Sequence, residues 1–145
     1  MRGMVGGQAV DLLYEGKKVT EETLEYIHSH KTAALIVCCL RVGGILSGAS
    51  ARQLRGLTEY GKHLGLAFQI VDDILDVESS TEKLGKTVGK DVKSKKATYP
   101  SVFGMKKSRQ KLAGLAEEAG KALVVFGARG RILERMIQFI IKREK

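Results

Sequence analysis

Residues 68 to 76 read Phe68-Gln69-Ile70-Val71-Asp72-Asp73-Ile74-Leu75-Asp76, three carboxylates set inside one of the most apolar stretches of the chain. Wound as a helix, Gly65, Gln69, Asp72 and Asp76 fall in one narrow strip with Asp73 at its shoulder, because positions three or four apart stack on one face. The rest of the segment from Leu64 to Val77 is apolar. A helix apolar on nearly every side is a buried helix, so the strip is expected to face the interior or a cavity rather than bulk water. Like charges one turn apart repel, and an unpaired buried carboxylate is costly, so the strip requires a cation or protonation. Magnesium suits it, since that ion takes oxygen ligands and is usually held by one or two carboxylates together with substrate phosphates. The plainer alternative is an acidic cluster compensated by nearby lysines.

The flanks read as helices. Ser50-Ala51-Arg52 is expected to start the aspartate helix, whose apolar positions Leu54, Leu57, Gly61, Leu64, Phe68, Val71 and Leu75 alternate in steps of three and four. Before it, Val5 to Leu13 forms a helix ending near Gly16, and Thr20-Glu21-Glu22-Thr23 reads as a cap with an acidic first turn. The helix that follows carries Leu24, Ile27, Ala34, Leu35, Val37 and Cys38 toward a bend or break at Gly43-Gly44. From Ser79 to Pro100 the helical pattern lapses into a lysine-rich loop or short-helix region, and Tyr99-Pro100 opens the next element. Helices are expected around Ser101 to Lys107, from Arg109 to Phe126, and from Arg129 onward with Ile132, Leu133, Met136, Ile137 and Ile140 on one face. With no strand alternation, the fold class is all-α.

The chain has 145 residues, 43% of them hydrophobic, with one proline and no tryptophan, the composition of a globular helical domain or part of one. No stretch approaches the ~20 uninterrupted apolar residues of a membrane span, and no transmembrane segment is expected. A net charge of +9 favours an anionic partner. Nucleic acid is disfavoured among such partners, because the lysines lack interleaved aromatics and any reader motif. Cys38 and Cys39 are adjacent in an apolar helical run, pointing about 100° apart, and are poorly placed to pair. That usage and the lack of a visible secretory signal fit a reducing, cytoplasmic setting. The abrupt apolar, Gly-rich start reads like the middle of a helix and suggests the C-terminal part of something longer.

Several clusters surround the carboxylates. Gly85 and Gly89 each precede a lysine, and a flexible backbone bearing Lys86, Lys90 and Lys96 suits capture of a diphosphate held by a metal on the aspartates. Its alternative is a solvated basic loop. Gly85-Lys86-Thr87 lacks the preceding glycine and strand of a P-loop. His28 and His30, two residues apart on a helix, point about 200° apart and cannot share an ion, so they read as surface or supporting groups. Lys31 and Thr32 precede an apolar run, where a cation and a hydroxyl can reach a cavity, and Gln8 and Asp11 share a helical face beside Gly7.

Together these blocks resemble the trans-type prenyl diphosphate synthases, in particular the geranylgeranyl and farnesyl diphosphate synthases. The similar motifs are Gly3-Met4-Val5-Gly6-Gly7-Gln8 with Asp11, then Ile27-His28-Ser29-His30-Lys31-Thr32-Ala33-Ala34-Leu35, then Gly65-Leu66-Ala67-Phe68-Gln69 leading into Asp72-Asp73-Ile74-Leu75-Asp76, and last Gly85-Lys86-Thr87-Val88-Gly89-Lys90-Asp91 with Lys96-Ala97-Thr98-Tyr99-Pro100. They run in family order over roughly residues 3 to 105. The resemblance implies part of an isoprenoid-synthase (terpene synthase-like) helical bundle, usually dimeric or associated with another synthase subunit. It implies condensation of isopentenyl diphosphate with an allylic diphosphate by magnesium-assisted ionisation. Carried over by position, Asp72 is the principal magnesium ligand, with Asp73 and Asp76 binding through water or supporting it. Lys31, Lys86 and Lys96 hold the allylic diphosphate, Thr32 and Gln69 stabilise the cation, Phe68 lines the isopentenyl site, and Gln8 and Asp11 border the allylic site. The family's first aspartate motif belongs to an N-terminal half with no counterpart here. The chain is therefore expected to be the C-terminal part of one polyprenyl synthetase domain over residues 1–145, inactive alone, or else a non-catalytic partner subunit of such a synthase.

Overall fold

The 34-residue helix α4 (Ala51–Leu84) is the axis on which the other elements pack. The structure, a computed structural model, describes residues 3–84 and 97–143. Every regular element among the described residues is helical. In chain order these are α1 (Met4–Leu13), α2 (Glu21–His28), a π-helical turn (Ser29–Ala33), α3 (Ala34–Leu46), α4, α5 (Tyr99–Phe103), α6 (Met105–Leu123), a 3₁₀ stretch (Val124–Gly130) and α7 (Arg131–Ile141).

Two apolar clusters run along α4. Ala67, Ile70, Val71 and Ile74 meet Leu24 of α2, Tyr99 of α5, and Leu112 and Leu115 of α6. Tyr60 and Leu64 meet Ala119 and Leu123 of α6 and Ile137 of α7. Each large aliphatic chain buried this way stabilises the fold by about 1.5–3 kcal/mol before entropy is counted. The buried Tyr60 hydroxyl donates to the Leu133 carbonyl at 2.8 Å, tying α4 to α7.

Thr20 caps α2 as its sequence suggests, its hydroxyl accepting from the Thr23 amide at 3.2 Å. Thr98 and Ser101 form a capping box that starts α5 at Tyr99-Pro100. Three boundaries differ from expectation. Helix α3 runs through Gly43-Gly44 to Leu46, because Gly44 allows close approach of two helices rather than breaking one: a Cβ there would lie 2.7 Å from Leu57 Cδ1. Helix α4 passes Ser79 and continues to Leu84, the Ser79 hydroxyl being absorbed by the Leu75 carbonyl at 2.6 Å inside the helix. The break between α5 and α6 falls at Gly104, which adopts φ 85°, so Ser108 is a buried residue in the first turn of α6.

By length and composition the run Glu21–Leu46, of hydropathy 1.3, is long and apolar enough to cross a membrane, although charged and polar residues interrupt it. Little of that window is buried, and one side of the run is seated on α4. A Cβ at Gly61 of α4 would lie 2.9 Å from Val37 Cγ2, and His28 is buried against a carboxylate of α4.

Candidate active site

The one π-helical turn among the described residues carries Lys31 and Thr32 and is clamped between two glycines. A Cβ on Gly7 of α1 would fall within 2.7 Å of the His30 carbonyl carbon, and one on Gly65 of α4 would overlap the Ala33 backbone. Only residues without side chains allow three backbones to approach so closely. A π turn inside an α-helix widens the local pitch and is most often found at functional sites. Here it brings Lys31 against α1, where its ammonium donates to Asp11 Oδ2 at 2.6 Å with both side chains largely buried. Lys31 and Asp11, twenty positions apart in sequence, thus form one charged pair. Gln8 and Thr32 are half-buried nearby on α1 and the π turn, and Gln69 joins Asp11, Ile27 and His28 in lining a small cleft between α1, α2 and α4.

The aspartates divide between two environments. Asp72 and Asp76 are exposed and Asp73 is buried, at 4% exposure. The expectation of an inward-facing carboxylate strip is thereby corrected. The strip through Gly65, Gln69, Asp72 and Asp76 passes from a buried glycine to an open surface, and it is the shoulder residue that turns into the core. Asp73 Oδ2 accepts from His28 Nε2 at 3.0 Å and from the Tyr99 amide at 2.7 Å. Asp72 Oδ1 accepts from Arg143 at 2.9 Å, and the same guanidinium lies 5.2 Å from the Phe68 ring centroid.

An oxygen-only donor set of two exposed carboxylates one turn apart fits magnesium, which completes its shell with water and phosphate rather than a protein cage. Among the described residues no three metal-binding side chains converge, so the fit is to an ion shared with a substrate. Asp73 is already engaged by two donors. Lys86 and Lys96, along with Lys90, lie outside the described residues.

The sequence marks His28 only as a surface or supporting group and gives no role to the Tyr99 amide or Arg143. His28 is buried at 4% exposure, and its position one turn after Leu24 on the apolar side of α2 was the available signal. The Tyr99 amide and Arg143 carried none, since their contacts depend on how α5 and α7 pack. The Tyr99 ring stacks on Phe103 at 4.2 Å, and burial pushes its phenol up, with Glu25 and Glu21 adding to the shift.

A helical bundle in which a lysine-bearing π turn faces a helix with a DDxxD motif defines a class of all-α proteins. Residues 1–123 match the family model for polyprenyl synthetase. The chain is 44% identical over 142 residues to a geranylgeranyl diphosphate synthase of Cyanophora paradoxa, covering 97% of this chain and 47% of that protein. Its fold matches an FPP/GFPP synthase of Zymomonas mobilis with a TM-score of 0.78 at 33% identity, over 96% of this chain and 45% of that one. It also matches a Helicobacter pylori geranyltransferase complexed with magnesium and isoprenyl diphosphate, with a TM-score of 0.72 at 30% identity, over 96% and 46% of the two chains. The chain belongs to the polyprenyl synthetase family, whose members here are prenyl diphosphate synthases. It spans about half the length of the curated relatives it matches.

Proposed function

We propose that this chain holds an allylic diphosphate and supplies one carboxylate wall of the magnesium site in a short-chain prenyl diphosphate synthase, which extends that diphosphate with isopentenyl diphosphate. The observation that carries the reading is the pair Asp72 and Asp76, exposed one turn apart on a helix packed against the turn that presents Lys31 and Thr32. The magnesium and isoprenyl diphosphate of the matching Helicobacter pylori structure support it.

Asp72 and Asp76 would hold magnesium, with Asp73 behind them. The chemistry that ion supplies when bound is neutralisation of the charge developing on the leaving diphosphate. Lys31 lies pre-oriented by Asp11 at 2.6 Å and presents its remaining N–H groups to phosphate oxygens, joined by Lys86 and Lys96. The allylic C–O bond breaks with its electron pair leaving on the diphosphate. The oxygens of Thr32 and Gln69 stabilise the cation, the isopentenyl double bond forms the new C–C bond along the Phe68 side, and the proton lost from the resulting cation passes to the released diphosphate. Gln8 and Asp11 border the allylic group. The 145 residues hold a single DDxxD, so the opposite carboxylate wall comes from polypeptide outside them.

Calorimetric titration of the chain with magnesium and inorganic pyrophosphate tests this assignment. Binding is expected to require magnesium and to weaken at least about tenfold in Asp72→Asn; unchanged binding in that variant would remove Asp72 from the site. Elongation by the chain alone is expected to be undetectable, and robust turnover would contradict the two-wall reading.

A second reading is a non-catalytic partner of an active synthase. The exposed apolar side chains of Leu35, Val42, Ile45 and Leu46 favour an association surface. Co-purification with a synthase subunit that survives Asp72→Asn, without magnesium-dependent pyrophosphate binding, would select it.

A further inference from the structure

The assignment that follows rests on the diphosphate-site reading above. His28 and Asp73 are each 4% exposed. The ring of His28 reaches two acceptors, with Nδ1 2.8 Å from the Leu24 carbonyl and Nε2 3.0 Å from Asp73 Oδ2. The ring thereby bridges the backbone of its own helix and the carboxylate of α4. The same Asp73 oxygen takes the Tyr99 amide at 2.7 Å, and the His28 and Tyr99 rings meet edge-on at 6.1 Å.

Each partner belongs to a segment with a part in the site. His28 is followed directly by the π turn with Lys31 and Thr32, Asp73 is the neighbour of Asp72, and Tyr99 begins the helix just after Lys96. Three segments distant in sequence therefore end on one carboxylate oxygen.

We propose that His28 is a positioning residue. Through Asp73 it locks the π turn, the aspartate helix and the start of α5 into one register, and so sets the spacing between the Lys31 and Asp72 sides of the diphosphate site. Supporting partners of this kind typically contribute 10–100-fold to metal affinity.

The test uses the full chain with His28→Leu, which fills the volume without a donor, and His28→Gln, which returns an N–H toward Asp73. Amide hydrogen exchange is read at Tyr99 and, as a distant control, at Ile137 in α7. The leucine variant is expected to speed exchange at Tyr99 at least about tenfold while leaving Ile137 unchanged, and to weaken magnesium-dependent pyrophosphate binding by about tenfold or more. The glutamine variant is expected to restore both. Unchanged Tyr99 exchange in His28→Leu overturns the strut, as does an equal rise at Ile137, which would report global loosening. Should His28→Leu fail to fold, fast Tyr99 exchange in His28→Gln overturns it equally. Absence of magnesium-dependent pyrophosphate binding by the unmodified chain would instead overturn the functional reading, while the exchange data still decide the strut.

Discussion

Helix α3 is more apolar between Ala34 and Leu46 than α4 is between Leu64 and Val77, yet Gly44 is the one buried residue of α3 whereas Leu64, Gly65, Ala67, Ile70, Val71, Asp73 and Ile74 are all buried in α4. Helix α4 has neighbours on several sides, with α2, α5, α6 and α7 all contributing to the two clusters along it. Helix α3 leans on α4 along one glycine-lined seam and leaves Leu35, Val42, Ile45 and Leu46 open. Hydrophobicity sets the free energy available from burial; the number of neighbours decides how much of it is realised. An apolar face left open in this way is a surface suited to a partner.

The contrast can be tested by substitution. Ile70→Ala removes a fully buried side chain from the α4 core and is expected to cost about 2–5 kcal/mol in denaturant unfolding. A loss below about 1 kcal/mol would show that the cluster is loosely packed. Tyr60→Phe deletes the hydrogen bond to Leu133 and is expected to cost about 1 kcal/mol. It should also change the alkaline limb of stability. Burial pushes Tyr60 up from 10.0 to about 12, so the folded state holds the phenolic proton more tightly than the unfolded chain does. Its contribution is complete below pH 10 and is lost as the pH climbs toward about 12. In the phenylalanine variant that decline should flatten, and an unaltered alkaline profile would assign it to other groups. Ile45→Gln, on the open face of α3, is expected to change stability by less than about 0.5 kcal/mol. A loss as large as that of Ile70→Ala would show that this face is covered in solution.

Much of the architecture was legible because it depends on local chemistry. The three-and-four spacing from Leu54 to Leu75 marks α4, the Thr20 cap marks α2, and Tyr99-Pro100 marks α5. Misreadings fell where tertiary contact overrules local propensity. Gly43-Gly44 looks like a helix breaker until a partner helix lies against Gly44, and the Ser79-Ser80 run looks like a loop until the Ser79 hydroxyl is absorbed within the helix. In the site, the motif residues were visible as types, while the exposure of Asp72 and the burial of Asp73 were not. Adjacent residues on a helix point about 100° apart, and which of them meets water depends on elements far away in sequence.

By itself the sequence determined that the chain is all-helical, that its aspartates lie one turn apart on a helix, and that lysines precede and follow them, because these properties follow from residue type and the 3.6-residue repeat. Only the tertiary structure decided that Asp73 turns inward to His28 and Tyr99, that Lys31 reaches Asp11, and that two glycines clamp the turn between them. The reason is distance along the chain: the first set follows from spacing within one helix, whereas the second joins residues up to 45 positions apart, and only packing brings them into contact.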